Sequence, residues 1–201
     1  FFKPRPVPFA LRKKVEMELD RLEKEGIIQP IQFSEWAAPV VPVVKRNGSI
    51  RVCGDYKLTV NKVSSVDPYP LPRIDELLAS TAGAKIFSKL DLSNAYLQLE
   101  LDDDSKPLTT ISTHKGLYRY NRLPFGLSSA PALFQRTMEG IVGNIPNTLV
   151  YLDDILVVGG GGAFTDFGHS AHLSSRSRVE IKVAKVLFQI AERGVSRTQN
   201  F

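Results

Sequence analysis

Apolar residues recur at helical spacing near the start of the chain and in two later stretches, and alternate or cluster at strand spacing through much of the remainder. Leu11, Val15, Leu19 and Leu22 share one face of residues 10–25, with Lys, Arg and Glu elsewhere, and Gly26 follows, so an amphipathic helix stopping at that glycine is expected. Residues 39–44 and 49–53 are β-rich runs flanking Lys45-Arg46-Asn47-Gly48, and Asn-Gly signals a hairpin, here with a basic tip. Asp67-Pro68-Tyr69-Pro70-Leu71-Pro72 predicts a stiff extended stretch. Pro72 suits the first turn of a second helix, with Ile74, Leu77, Leu78 and Thr81 as its apolar face and Gly83 as its stop. Residues 85–92 read as a strand closing on Asp91. Leu97, Leu99 and Leu101, alternating with Gln98 and Glu100, read as a half-buried strand, and residues 109–112 and 117–121 continue an antiparallel pattern. Ser128-Ser129-Ala130-Pro131 caps a third helix running to about Gly143, with Leu133, Phe134, Thr137, Met138 and Ile141 available for burial. Residues 148–158 are two apolar runs folding back on each other as a buried hairpin, with Asp153 and Asp154 at the bend. The order predicts an α+β fold with helices packed on one face of an antiparallel sheet.

The 201 residues, 43% hydrophobic and 23% charged, are enough for a globular core and exclude a wholly disordered chain. No apolar run approaches the roughly 20 residues of a bilayer span, and the start lacks the apolar core of a signal peptide. A soluble, intracellular, cytoplasmic protein with no membrane partner is therefore expected. Cys53 is the single cysteine, which excludes an internal disulfide and a multi-cysteine zinc site. A net charge of +5 leans towards a polyanionic partner. The chain begins at Phe1 rather than Met, so an upstream segment is expected.

Candidate chemistry changes this picture most at the Asp-Asp bend. Adjacent carboxylates on an apolar hairpin repel unless a cation neutralises them, and a divalent metal is the natural partner. The plain alternative is an ordinary Asp-Asp turn. If Asp91 converges with Asp153 and Asp154, the cluster together with substrate phosphates is how magnesium is usually held. Two ions roughly 3.5 to 4 Å apart could activate a 3′-hydroxyl and stabilise departing pyrophosphate. Lys45, Arg46 and Arg51 would then clamp phosphates, where otherwise they serve solubility on an exposed ribbon. The Asp102-Asp103-Asp104 run reads as a solvated turn, and His169 and His172, without partnering cysteines, as surface histidines.

Several ordered motifs over residues 10–158 resemble the reverse transcriptase of long-terminal-repeat retrotransposons of the Ty3/gypsy type. They are Phe87-Ser88-Lys89-Leu90-Asp91-Leu92, Arg119 through Leu123-Pro124-Phe125-Gly126-Leu127, Ser129-Ala130-Pro131-Ala132-Leu133-Phe134-Gln135 and Tyr151-Leu152-Asp153-Asp154. Arg51-Val52-Cys53-Gly54-Asp55-Tyr56 with Asn61-Lys62, and Tyr69-Pro70-Leu71-Pro72-Arg73-Ile74, match the same family's finger and connecting segments. The resemblance implies the fingers and palm of a right-hand polymerase over residues 1–158, with fingers at about 27–85 and 104–122 and palm at about 86–103 and 123–158. It implies an RNA-directed DNA polymerase, a nucleotidyltransferase working on a primed RNA or DNA template with deoxynucleoside triphosphates. Two Mg2+ ions are implied as cofactors, with Mn2+ as a substitute, and Asp91, Asp153 and Asp154 match the catalytic metal-binding aspartates. Arg51 with Lys45 or Arg46 matches the finger contacts to the incoming triphosphate. Phe125, Gly126 and Tyr151 match the nucleotide pocket, and Tyr96 the ring that excludes a 2′-hydroxyl. Further polyprotein regions, RNase H and integrase, and a virus-like particle as the setting are implied for a full-length element.

Beyond Val158 the pattern lapses. Gly159 to Gly162 read as a linker, and residues 159–201 as a degenerate or atypical remainder of the palm. His172-Leu173 and residues 181–189 echo the helix and strand that complete the palm, but at the wrong spacing, and no primer-gripping hairpin or thumb is expected. The second reading is therefore an inactive remnant that binds nucleic acid through its basic finger, marginally stable because one face of its sheet is uncovered.

Overall fold

The computed structural model describes residues 1–65, 67–84 and 86–159, and as backbone strands residues 183–192 and 195–200. The expected linker residues Gly160 to Gly162, and His169, His172 and Leu173, lie outside the described residues. In chain order the elements are α1 (Phe9–Lys24), β1 (Ile28–Ile31), β2 (Ala38–Val44), β3 (Ile50–Gly54), α2 (Ile74–Ser80), β4 (Ile86–Leu92), β5 (Ile111–Thr113), β6 (Gly116–Tyr120), α3 (Ala130–Val142), β7 (Thr148–Tyr151), β8 (Asp154–Gly159), β9 (Val183–Glu192) and β10 (Val195–Asn200). They fall into two compact units, Phe1–Val66 with Leu99–Ala130, and Asp67–Gln98 with Pro131–Phe201. Residues 99–103 and 123–130 thus group with the first unit.

The first unit holds a five-stranded sheet ordered β1-β6-β5-β2-β3, antiparallel except where β2 runs parallel to β5 at Ala38 and Pro39. Helix α1 packs on β1 and β3. Val15, Leu19 and Leu22 are its buried stripe, as the periodicity predicts. Gly26, at φ +69°, closes it: its N–H bonds back to Glu23 and that of Ile27 to Leu22, a left-handed C-terminal cap that suits glycine. The basic hairpin forms, with Val44 opposite Ile50, but not through a two-residue Asn-Gly turn. Gly48 alone has positive φ, +77°, and its N–H closes on the Lys45 carbonyl, giving a three-residue loop with glycine in the left-handed place.

The second unit holds a fully antiparallel sheet ordered β10-β9-β4-β8-β7. Ser88, Leu90 and Leu92 of β4 and Ile155 and Val157 of β8 are buried, as are Phe134, Met138 and Val142 of α3.

Three expectations are corrected. Leu97, Leu99 and Leu101 do not form a strand: residues Ala95–Gln98 make a 3-10 turn behind Asn94 at φ +49°, and only a Glu100–Arg122 bridge continues the pairing. Here a local turn, in which Gln98 Nε2 donates to the Ser93 carbonyl, wins over two-residue alternation. Ile74 is 56% exposed rather than part of an apolar face of α2, and the side chain of Leu78 lies outside the description. Finally, the last palm strand, expected only as an echo at the wrong spacing in residues 181–189, forms: β9 pairs along β4 and β10 pairs with β9, so the β4 edge is not left unpaired.

Candidate active site

Strand alternation decides where the carboxylates of the second unit point. Side chains at every second position of β4 share a face, and Ser88, Leu90 and Leu92 take the buried one, so Lys89 and Asp91 fall on the other. Asp91 stands directly opposite Asp154 in the β4–β8 register, and Asp153 sits in the two-residue turn that joins Tyr151 to Asp154. The Asp153 carbonyl accepts the Leu92 N–H at 3.2 Å, which ties the turn to the end of β4. The bend expected to be buried is thus half open: Asp91 and Asp154 are half-buried and Asp153 is exposed.

Lys89, which carried no role in the sequence reading, places its ammonium 2.7 Å from Asp154 Oδ2. The Asp154 hydrogen bond holds this ammonium above the usual lysine range against the opposing effect of partial burial, with Asp91 and Asp153 adding to the attraction. Among the described residues no three carboxylate, imidazole or thiol groups close round a single point. The donor set still suits a hard divalent cation, since three carboxylates occupy one end of a strand pair and its turn, and such ions take oxygen ligands.

Tyr96, in the 3-10 turn after Asp91, packs edge to face on Phe134 with ring centroids 5.2 Å apart. Burial pushes its hydroxyl pKa up, and the charge of Asp153 pushes it further. Tyr151 ends β7 opposite Asp154. A second residue missed by sequence reasoning is Gln135, fully buried on α3, whose Oε1 accepts the Leu152 N–H at 2.7 Å. The available signal was positional: Gln135 shares a helical face with Met138 and Val142, where an amide needs partners.

In the first unit, the Arg51 guanidinium lies 4.4 Å from the centroid of the Phe125 ring. Arg46 is exposed at the hairpin tip and Lys45 begins the turn. Gly126 has φ +100°, and its carbonyl accepts from Asn61 Nδ2 at 2.8 Å while Asn61 Oδ1 accepts the Ser128 N–H at 3.0 Å. Lys45, Arg46, Arg51, Phe125 and Gly126 therefore belong to one unit, and Asp91, Tyr96, Tyr151, Asp153 and Asp154 to the other.

Comparison with known proteins adds an independent line. Residues 43–190 match the family described as reverse transcriptase (RNA-dependent DNA polymerase). An uncharacterised protein of Caenorhabditis elegans is 41% identical over 159 residues, covering 78% of this chain and 12% of that protein. The retrovirus-related Pol polyprotein from transposon opus of Drosophila melanogaster is 37% identical over 165 residues, covering 78% of this chain and 16% of the polyprotein. The chain thus spans only a small part of these relatives. Among solved structures, the foamy viral protease-reverse transcriptase in complex with double-stranded DNA superposes with a TM-score of 0.79 at 24% identity, covering 90% of this chain and 32% of that one. The expected α+β fold, fingers and palm, is the one shared with these structures.

Proposed function

The chain belongs to the reverse transcriptase (RNA-dependent DNA polymerase) family, in the form found in retrotransposon Pol polyproteins, and on that premise we propose that it carries out RNA-directed DNA synthesis through Asp91, Asp153 and Asp154. The observation that carries this reading is the register that sets Asp91 opposite Asp154 with Asp153 in the adjoining turn. Magnesium, or manganese in its place, would supply activation of the primer hydroxyl and neutralisation of the pyrophosphate that leaves. Asp91 and Asp154 offer carboxylates from neighbouring strands and Asp153 offers one from the turn, so the ligands rest on hydrogen-bonded backbone. Lys89 balances the charge of Asp154, which a bound divalent ion would also do. Tyr96, held by Phe134, is placed to crowd the sugar and reject a 2′-hydroxyl. The first unit brings basic groups, Lys45, Arg46 and Arg51, suited to nucleotide and nucleic-acid phosphates. The partners are a primed template and deoxynucleoside triphosphates, with RNase H and integrase regions in a longer polyprotein and the cytoplasm or a virus-like particle as the setting. Among the described residues no helix is long and apolar enough to cross a membrane.

Primer extension and filter binding on the same preparations test the reading. Asp153→Asn removes ligand charge but no backbone contact, so extension is expected to be abolished with template binding nearly intact. Extension within tenfold of the parent would remove Asp153 from the metal site. Binding by the parent without any extension would support the inactive remnant instead.

A further inference from the structure

Among the described residues Gln135 is the buried polar side chain of α3, and all its contacts lead towards the Asp-Asp turn or back towards the Pro-rich stretch. Oε1 accepts the Leu152 N–H at 2.7 Å, while Nε2 donates to the Val150 carbonyl at 2.9 Å and to Glu139 Oε1 at 2.6 Å. Both amide hydrogens are used, so the side chain is fixed in one orientation. It clasps the hairpin on either side of Tyr151, just where Leu152 enters the turn at φ +53°, a left-handed conformation that a leucine rarely adopts and that the surroundings must enforce. Glu139 is held in turn, because the Tyr69 hydroxyl donates to its Oε2. Tyr69 lies 5.9 Å from the Arg136 guanidinium, which bonds Asp67 at 3.0 Å, so two residues of the stretch before α2 grip α3. Every residue in this chain of contacts belongs to the second unit.

We propose that Gln135 is a positioning residue for the Leu152–Asp153 turn, and that Tyr69 and Glu139 align its amide, coupling the Asp67–Pro72 stretch to the carboxylates. The proposal rests on Asp153 and Asp154 being metal ligands. Its physical basis is that the turn is strained and the clasp supplies the acceptor for the strained residue's N–H. Without that acceptor Leu152 relaxes out of the left-handed region and carries the Asp153 carboxylate with it. Loss of a group that orients a metal ligand commonly weakens metal binding by about 10- to 100-fold.

The full chain is tested with Mn2+ as the probe, measured by calorimetric titration, alongside hydrogen exchange at the Leu152 amide. Gln135→Met, which deletes the amide at similar size, is expected to speed Leu152 exchange and weaken Mn2+ binding by about 10-fold or more. Tyr69→Phe, a milder change outside the core, is expected to move both readouts in the same direction by a smaller factor. Because both act through one amide, the double variant should bind Mn2+ no more weakly than Gln135→Met alone. Unchanged exchange and Mn2+ binding in Tyr69→Phe, or losses that simply multiply in the double variant, would overturn the relay. Faster exchange in Gln135→Met at full Mn2+ affinity would overturn the positioning role. If Gln135→Met does not fold, Tyr69→Phe decides. Full Mn2+ affinity in Asp153→Asn would overturn the metal-site reading and the proposal with it, whereas Leu152 exchange reports the clasp separately.

Discussion

Lys89 and Asp154 form an ion pair that is weak as a prop and, on the proposed metal-site reading, a competitor for the ion. Both side chains are more than a third exposed, at 47% and 39%, so the pair contributes at most about 1 kcal/mol to stability. Because the carboxylate raises the ammonium above its ordinary range, the lysine's side of the pair is fully present at neutral pH and is lost as strong alkali deprotonates the lysine. On the proposed metal-site reading, a divalent ion at Asp154 would meet a charged ammonium throughout the physiological range. Lys89→Met should tighten Mn2+ binding while shifting the melting midpoint little, and equal or weaker binding in a titration would exclude Lys89 as a competitor. Tyr96→Val makes a second residue-scale prediction, since it removes a ring held edge-on by Phe134 and leaves space beside the turn. Ribonucleotide use relative to deoxynucleotide use should rise by about 10-fold or more, the range over which a pocket senses small groups. An unchanged ratio in single-nucleotide extension would take Tyr96 out of that role. At this scale motif residues are legible and their attachments are not. Asp153 and Asp154 stand out as adjacent carboxylates on an apolar hairpin and Asp91 as the acid that closes a strand, joined by the motif resemblance, whereas Lys89 and Gln135 act through partners that only the β4–β8 register and the packing of α3 bring near.

Among the elements, the loop at Leu123–Leu127 depends most on a single backbone conformation. Gly126 holds φ +100°, and a Cβ placed there would come within 2.9 Å of the Gly54 carbonyl oxygen, at the end of β3. Gly54 is itself enclosed, since a Cβ there would lie 2.6 Å from Cζ of Tyr56, a buried side chain whose hydroxyl donates to the Thr109 carbonyl. Backbone cannot give way as a flexible side chain tip can. Gly126→Ala therefore combines left-handed strain of about 1–2 kcal/mol with a steric contact, and should destabilise the first unit by about 2–4 kcal/mol. Denaturant unfolding of the variant would show it, and a midpoint equal to the parent's would mean that the loop relaxes freely. The elements legible in the sequence are those whose pattern is long: the α1 stripe, the β2–β3 hairpin and α3. The 97–101 stretch failed because five residues of alternation cannot outweigh a turn set by Ser93, Asn94 and Gln98. The Asn47-Gly48 pair marked the hairpin correctly, while its loop took the three-residue form, with glycine alone in the left-handed place.

At the scale of the whole molecule the element to test is β9, which the sequence shows only as an echo of a palm strand in residues 181–189, because its spacing to the earlier motifs is unusual. The pairing is nevertheless long: β9 pairs β4 in one register from Ile86 to Asp91, which stands opposite Lys185, and a register shift beyond that sets Val183 opposite Leu92. With β9 in place, β4 is the central strand of five rather than an edge strand. Cutting the chain after Gly159 would turn β4 into an edge strand, exposing a row of N–H and C=O groups beside Asp91 that invites pairing with other chains. Backbone support for one of the proposed metal ligands would be lost along with the paired strand. A loss of about 3 kcal/mol is a large fraction of the roughly 5–15 kcal/mol that holds a domain together, and would lower the melting midpoint by roughly 6–12 °C in a chain of this size. Residues 1–159 are therefore expected to melt well below residues 1–201 and to scatter light at concentrations where the longer chain does not. Matching midpoints and equal monodispersity would show that β4 needs no partner on that side, and that the β9–β10 hairpin contributes nothing to holding the carboxylates in place.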